Sequence, residues 1–215
     1  MKADGNCGFS GVMQGLQQSG VVIAHTMDYQ DVRFNLAMHL LRFRRVYLAH
    51  LFTKNKEEEV QGIRMLVTAT MGTQKPGGIE PQFTWYESPL HCMLTADFFN
   101  TFVVAIHLDV RTKKHVQGSL FYPSVNKSTE SFNVDFMRII EEWMVDTSIP
   151  IIGLQHNGVD HWDAIQLDFT DSTLRKQIFS DPKLTHQFGR IDLLYVSDGT
   201  IQGMCLSYFT GHYNL

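Results

Sequence analysis

Long apolar runs are missing from this chain. No stretch approaches the roughly 18 apolar residues of a membrane-crossing helix, and the first residues lack the apolar core of a secretory signal, so no membrane anchor is expected. An excess of positive charge is missing too. The formal net charge is -4 and the sequence pI about 6.2, without the basic footprint of a nucleic-acid binder. The run Arg42, Arg44, Arg45 is short and reads as the solvated face of a helix. Cysteine is scarce: Cys7, Cys92 and Cys205 are odd in number and widely spaced, which fits neither a disulfide framework nor a paired zinc motif. Free thiols point to an intracellular, reducing compartment, cytoplasm or nucleus. Internal repeats and low-complexity tracts are absent as well.

What is present is the balance of an ordinary globular protein: 215 residues, 44% hydrophobic and 19% charged, enough for one domain over 1–215 with a sizeable core. Phe9, Val12, Met13 and Leu16 recur at helical spacing before Gly20. A longer helix is expected from Asp31 to about Phe52, then a solvated turn at "KNKEEE" and further helix through Val60 to Leu66. The glycine- and proline-rich segment from Gly72 to Pro81 predicts a surface loop. Ser88 is expected to cap a helix with Pro89 in its first turn, and this helix leads into the β-branched strand "TFVVAIHLDV".

Later, "GSLFYPS", "IPIIGLQ", "WDAIQLDF", "RIDLLYVS" and "IQGMCLSYF" read as strands. Helices are expected over 133–146 and 172–179. Helices early and strands mostly late predict an α+β or mixed α/β layer fold.

The chemistry gathers at "DGNCGF", residues 4–9. Cys92 and Cys205 lie among apolar neighbours and read as core, whereas Cys7 stands at the start of a helix. A thiol is a nucleophile as thiolate, and a helix N-terminus favours that form through its unpaired N–H groups and positive dipole end. Such a thiol needs an imidazole to take and return its proton, and a carboxylate or amide to hold the ring.

Of ten histidines two have the right form. His161 precedes a strand with Asp163 two residues on, where i and i+2 side chains share a face, and His212 has Asn214 at the same offset. His161 is favoured because strand-like sequence brackets it on both sides; His212 remains the alternative base. His156, Asp160, His161 and Asp163 lack zinc-site spacing, so neither metal nor other cofactor is expected. Trp162 reads as a core or cleft-wall aromatic.

"DGNCGF" resembles the nucleophile motif of the ovarian tumour (OTU) family of cysteine proteases, and "HWD" followed by a strand resembles its histidine signature. "DVRFNLAMHLL", "SPLHCMLTADFFNTFVVAIHL" and "IPIIGLQHNGVDHWDAIQL" are similar in order to the segments between, so the likeness to a divergent member covers about 1–170 and leaves 171–215 unassigned. The resemblance implies a papain-like α+β domain, with helices flanking a central, mostly antiparallel sheet. It implies Cys7 as nucleophile, His161 as general base and Asp163 as its orienter, with Asp4 supporting the site. It implies a tight turn at Gly5, and the backbone N–H groups of the Gly5–Asn6 loop and of Cys7 as the cradle for the developing oxyanion.

The function so implied is a deubiquitinase: a thiol hydrolase cutting isopeptide or peptide bonds after the C-terminal glycine of ubiquitin or a ubiquitin-like protein, its partner. Two rival classes stay open, a catalytically silent relative that binds ubiquitin or another protein, and a cysteine hydrolase with a different acyl substrate.

Overall fold

Phe9, Val12 and Leu16 lie on one helix face, and α1 (Cys7–Gln18) buries all three completely. The computed structural model describes residues 5–21, 24, 26–47, 56–73, 79–108, 115–132, 149–165 and 190–196. Asp4, Cys205, His212, Asn214, the helices expected over 133–146 and 172–179 and the strand expected over 201–209 lie outside the described residues.

α2 (Tyr29–Arg42) starts at a reciprocal cap: the Asp28 carboxylate accepts from the Gln30 and Asp31 amides, and Asp31 accepts from the Asp28 amide at 2.9 Å. It buries Val32, Leu36 and Leu40, together with Arg33 and His39. The single helix expected from Asp31 to about Phe52 is interrupted. Phe43 leaves helical geometry and tucks its ring inside against His39, and the short α3 (Arg44–Tyr47) then turns Val46 and Tyr47 inward as well. Arg42, Arg44 and Arg45 are exposed, as the sequence suggested.

A second correction concerns "KNKEEE". Its last four residues are not a turn but the first turn of α4 (Lys56–Met71), where Glu57, Glu58 and Glu59 sit favourably at the positive end of the helix dipole. A 3-10 turn follows at Gln82–Thr84. α5 (Leu90–Phe99) is preceded by Pro89 with no side-chain cap, so Ser88 does not play the capping part expected of it; Asn100, in the left-handed region at φ 50°, ends the helix.

The strands are β1 (Phe102–Leu108), β2 (His115–Phe121), β3 (Val125–Asn126), β4 (Ser131–Phe132), β5 (Ile151–His156), β6 (Trp162–Ile165) and β7 (Arg190–Val196). Five form one sheet in the order β6-β5-β1-β2-β7, and β3 pairs with β4 separately. β1 and β5 run parallel while the other neighbours in the sheet are antiparallel, which gives a mostly antiparallel sheet in an α+β chain.

β1 is buried on both faces from Phe102 to Ile106, in keeping with its apolar sequence there. Val103 and Ala105 join Ile152, Leu154, Trp162 and the apolar faces of α1, α2 and α5 in one core cluster. Val104 and Ile106, on the opposite face, are buried too. Among the described residues no helix is long and apolar enough to cross a membrane.

Candidate active site

α1 lies along β5 in the opposite direction, and glycine lets it come close. A Cβ on Gly15 would stand 3.0 Å from Ile152 Cβ, and one on Gly11 would stand 3.3 Å from Leu154 Cδ2 and 3.5 Å from the Ala164 backbone nitrogen. Four helical residues rise about 6 Å, and two strand residues rise about 6.6 Å. The two elements therefore stay in step, and the next step along β5 from Leu154 puts the start of α1 level with His156.

His156 is paired with Trp162 across the β5–β6 ladder. The Trp162 amide donates to Cys7 Sγ at 3.4 Å, and the thiol points to the Asp160 carbonyl at 3.8 Å. Cys7, 5% exposed, thus touches the backbone on both sides of His161.

The turn that presents His161 is organised by Asn157. Its side-chain oxygen accepts from the amides of Val159 (2.8 Å), Asp160 (3.0 Å) and His161 (3.1 Å), while the Asn157 amide donates to the His161 carbonyl at 2.9 Å. Gly158 supplies the positive φ of 84° that the turn requires. Asp163 meets the ring as the i, i+2 spacing suggested: Oδ1 is 3.0 Å from His161 Nε2. That contact assigns Nε2 as the protonated nitrogen of a neutral ring and leaves Nδ1, the nitrogen nearer the backbone, as the proton acceptor. The His161 side chain is 15% exposed and that of Asp163 54%, so the pair sits at a solvent boundary.

Trp162 forms the wall behind the thiol. Its ring packs against His107, His156 and Tyr86 at centroid distances of 5.1, 4.8 and 5.5 Å, and its Nε1 donates to the Tyr86 carbonyl at 3.2 Å. Burial lowers the basicity of His156, against an opposing pull from the Asp160 charge. Cys92 is fully buried under the Tyr86 hydroxyl at 3.6 Å, in keeping with a packing role.

Gly5 has φ +81°, and a Cβ there would fall 2.3 Å from Trp85 Nε1, so the loop before Cys7 admits only glycine. Trp85 is itself fixed by donating from Nε1 to the Glu80 carbonyl at 3.0 Å. Buried Glu80 accepts from the Thr73 amide and hydroxyl and from the Thr84 hydroxyl. Arg33, Glu80 and Trp85 were not singled out from the sequence. Arg33 did leave a trace there: it stands at i-3, i-4 and i-7 to the buried Leu36, Ala37 and Leu40, a charged residue on an apolar face.

The structure thus brings Cys7, His161 and Asp163 to one place beside Gly5 and Asn6, while Asp4, His212 and Asn214 fall outside the described residues. Among the described residues no group of three or more His, Cys, Asp or Glu is arranged to hold a metal ion. Comparison with protein-family models, curated proteins and solved structures finds no match for this chain.

Proposed function

We propose that the chain is a thiol hydrolase of the ovarian tumour type, with a papain-like arrangement, that cleaves isopeptide or peptide bonds after the C-terminal glycine of ubiquitin or a ubiquitin-like protein. One observation carries the reading. The sulfur at the front of α1 touches the backbone on either side of a histidine more than 150 residues away, and that histidine's far ring nitrogen is held by a carboxylate. Thiol acyl transfer follows from that chemistry, and ubiquitin as substrate follows from the likeness of "DGNCGF" and "HWD" to the family motifs.

In the proposed reaction the Cys7 proton passes to His161 Nδ1 and the sulfur attacks the carbonyl carbon, forming the S–C bond and placing negative charge on the carbonyl oxygen. Backbone N–H groups of the Gly5–Asn6 loop and of Cys7 receive that charge. Collapse breaks the C–N bond, and the amine leaves with the proton that the imidazolium returns. Water, deprotonated by His161, then cleaves the thioester and restores the thiol. Asp163 steadies the imidazolium in both halves.

The test is a ubiquitin probe bearing a C-terminal electrophile, applied to the wild type, Cys7→Ala, His161→Ala and His212→Ala. The wild type and His212→Ala are expected to form a one-to-one adduct, Cys7→Ala none, and His161→Ala far more slowly. Loss in His212→Ala with labelling intact in His161→Ala would overturn the choice of histidine. Labelling by a general thiol electrophile alone would move the substrate to another acyl group.

A further inference from the structure

Arg33 is 1% exposed, and its donors are spent on the scaffold of the thiol. Nε donates to Asn6 Oδ1 at 2.8 Å and Nη2 to the Gly5 carbonyl at 2.9 Å. Nη1 donates to the carbonyls of Thr84 at 2.8 Å and Thr70 at 3.1 Å, with that of Ala69 at 3.5 Å. The guanidinium carbon also lies 3.9 Å from the ring centre of Phe9, in the first turn of α1. A planar fork with five donors suits this set of acceptors, and an ammonium on a flexible stem does not.

Two of these bonds end on the residues immediately before Cys7. Asn6 is the residue before α1, where an asparagine side chain ordinarily accepts from the first-turn amides. Here Arg33 takes that oxygen, and α1 has no side-chain cap. The Gly5 carbonyl is turned to Arg33, so the N–H of Asn6 in the same planar peptide is directed the opposite way.

We propose that Arg33 is a positioning residue for the nucleophile: it draws the Asn6 side chain off the helix start and fixes the Gly5–Asn6 peptide, so that the first-turn amides serve the sulfur and the oxyanion instead of a cap. The inference rests on the reading of Cys7 as nucleophile. Among the described residues the charged and titratable groups around this end of α1 include Arg33 of α2, His91 and Cys92 of α5, Glu80, Tyr86, His107 of β1, and His156, Asp160, His161 and Asp163 of the β5–β6 hairpin. Arg33 bonds to both residues preceding the thiol.

The test is the pH profile of Cys7 alkylation by iodoacetamide, read on the Cys7 peptide by mass spectrometry, with thermal unfolding measured alongside. The full chain is compared with Arg33→Lys, which keeps the charge and loses the fork, and with Asn6→Ala, which removes one acceptor and serves if Arg33→Lys does not fold. The wild-type midpoint is expected below the ordinary thiol range. Arg33→Lys should raise it by about one pH unit, a loss of about tenfold in thiolate at pH values well below both midpoints. Asn6→Ala should shift it in the same direction by less. Folded variants with a lowered Tm and an unmoved midpoint would make Arg33 a core fastener only and overturn the proposal. A wild-type midpoint in the ordinary thiol range would instead overturn the nucleophile reading beneath it. The iodoacetamide readout is independent of whether ubiquitin is the substrate.

Discussion

Two buried polar clusters hang from α2, and they differ in what they enclose. Around Arg33 a buried cation is satisfied by carbonyls from three segments, and the cluster ends beside the buried Cys7 thiol. Around Asp97 a buried carboxylate is satisfied by donors: the Tyr47 hydroxyl, the Ser124 amide and hydroxyl, and the Val125 amide at 2.9 Å. Tyr47 in turn lies 3.0 Å from His39 Nε2, so α2, α3, α5 and the chain after β2 are stitched together with no reactive group among them. Burial pushes the Asp97 carboxyl and the Tyr47 hydroxyl up, and it lowers His39 to about 4 with help from Lys127 and Arg42. Both clusters offset the cost of buried polarity by filling their bonds. Only the first places its rigidity next to chemistry, so disturbing the first should change rates and disturbing the second should change stability.

The sharpest separation is expected from His161→Ala, which should slow capture of the ubiquitin probe by about 10²–10⁴-fold while the Tm stays close to wild type. Asp97→Ala should do the reverse: four donors lose their acceptor, costing about 3 kcal/mol in urea unfolding, with the Cys7 alkylation midpoint unmoved. A shifted midpoint in that variant would mean the two clusters act as one. Gly8→Ala belongs between them. Its Cβ would fall 2.3 Å from Tyr86 Cβ, so a loss of about 1–3 kcal/mol is expected, together with slower alkylation, because the start of α1 must move.

Acid should reach both clusters through buried histidines, His39 in the second and His91 beside the first. His91, lowered to about 3 by burial and by Arg33, accepts from the Glu87 amide on Nδ1 and meets Thr70 Oγ1 through Nε2. His39 and His91 are both depressed when folded, so between their folded values and the ordinary 6.5 the unfolded chain holds more protons. Stability therefore falls as pH drops through that window, by up to about 1.4 kcal/mol per pH unit for each histidine. The raised Asp97 opposes this above its ordinary 3.8, because its folded form holds the extra proton. Urea midpoints from pH 7 to 4 should decline and His39→Gln should flatten the decline; a flat wild-type curve would contradict the neutral, buried state of both rings. The smallest effect is expected from Val159→Ser. This residue, 68% exposed beside Asp160, should leave stability within about 0.5 kcal/mol and weaken probe capture a few-fold.

Much of the fold was legible because periodicity reports burial. The apolar face of α1, the buried strand β1 and the late strand at Arg190–Val196 stand where the pattern put them. Errors came where a side chain's fate depended on distant partners. Phe43 breaks a helix to reach the core, the acidic run at Lys56–Glu59 prefers a helix start to a turn, and Ser88 cedes its place to Pro89. In the site, the His161–Asp163 pair was readable from a two-residue spacing. Arg33 was not, because all but one of its acceptors are main-chain carbonyls, which every residue carries and no sequence distinguishes.

By itself the sequence determined that Cys7 starts a helix, that an imidazole and a carboxylate share a strand edge, and that the chain has the composition to bury a core; these are local or summed properties, set by neighbours a few residues apart. Only the tertiary structure decided that the helix start and the strand edge meet. The reason is the glycine face of α1, Gly11 and Gly15, which lets four residues of helix keep step with two of β5 and carries Cys7 to the level of Trp162. It also decided that a buried guanidinium holds the loop before the thiol, since a cation finds its acceptors through space and not along the chain.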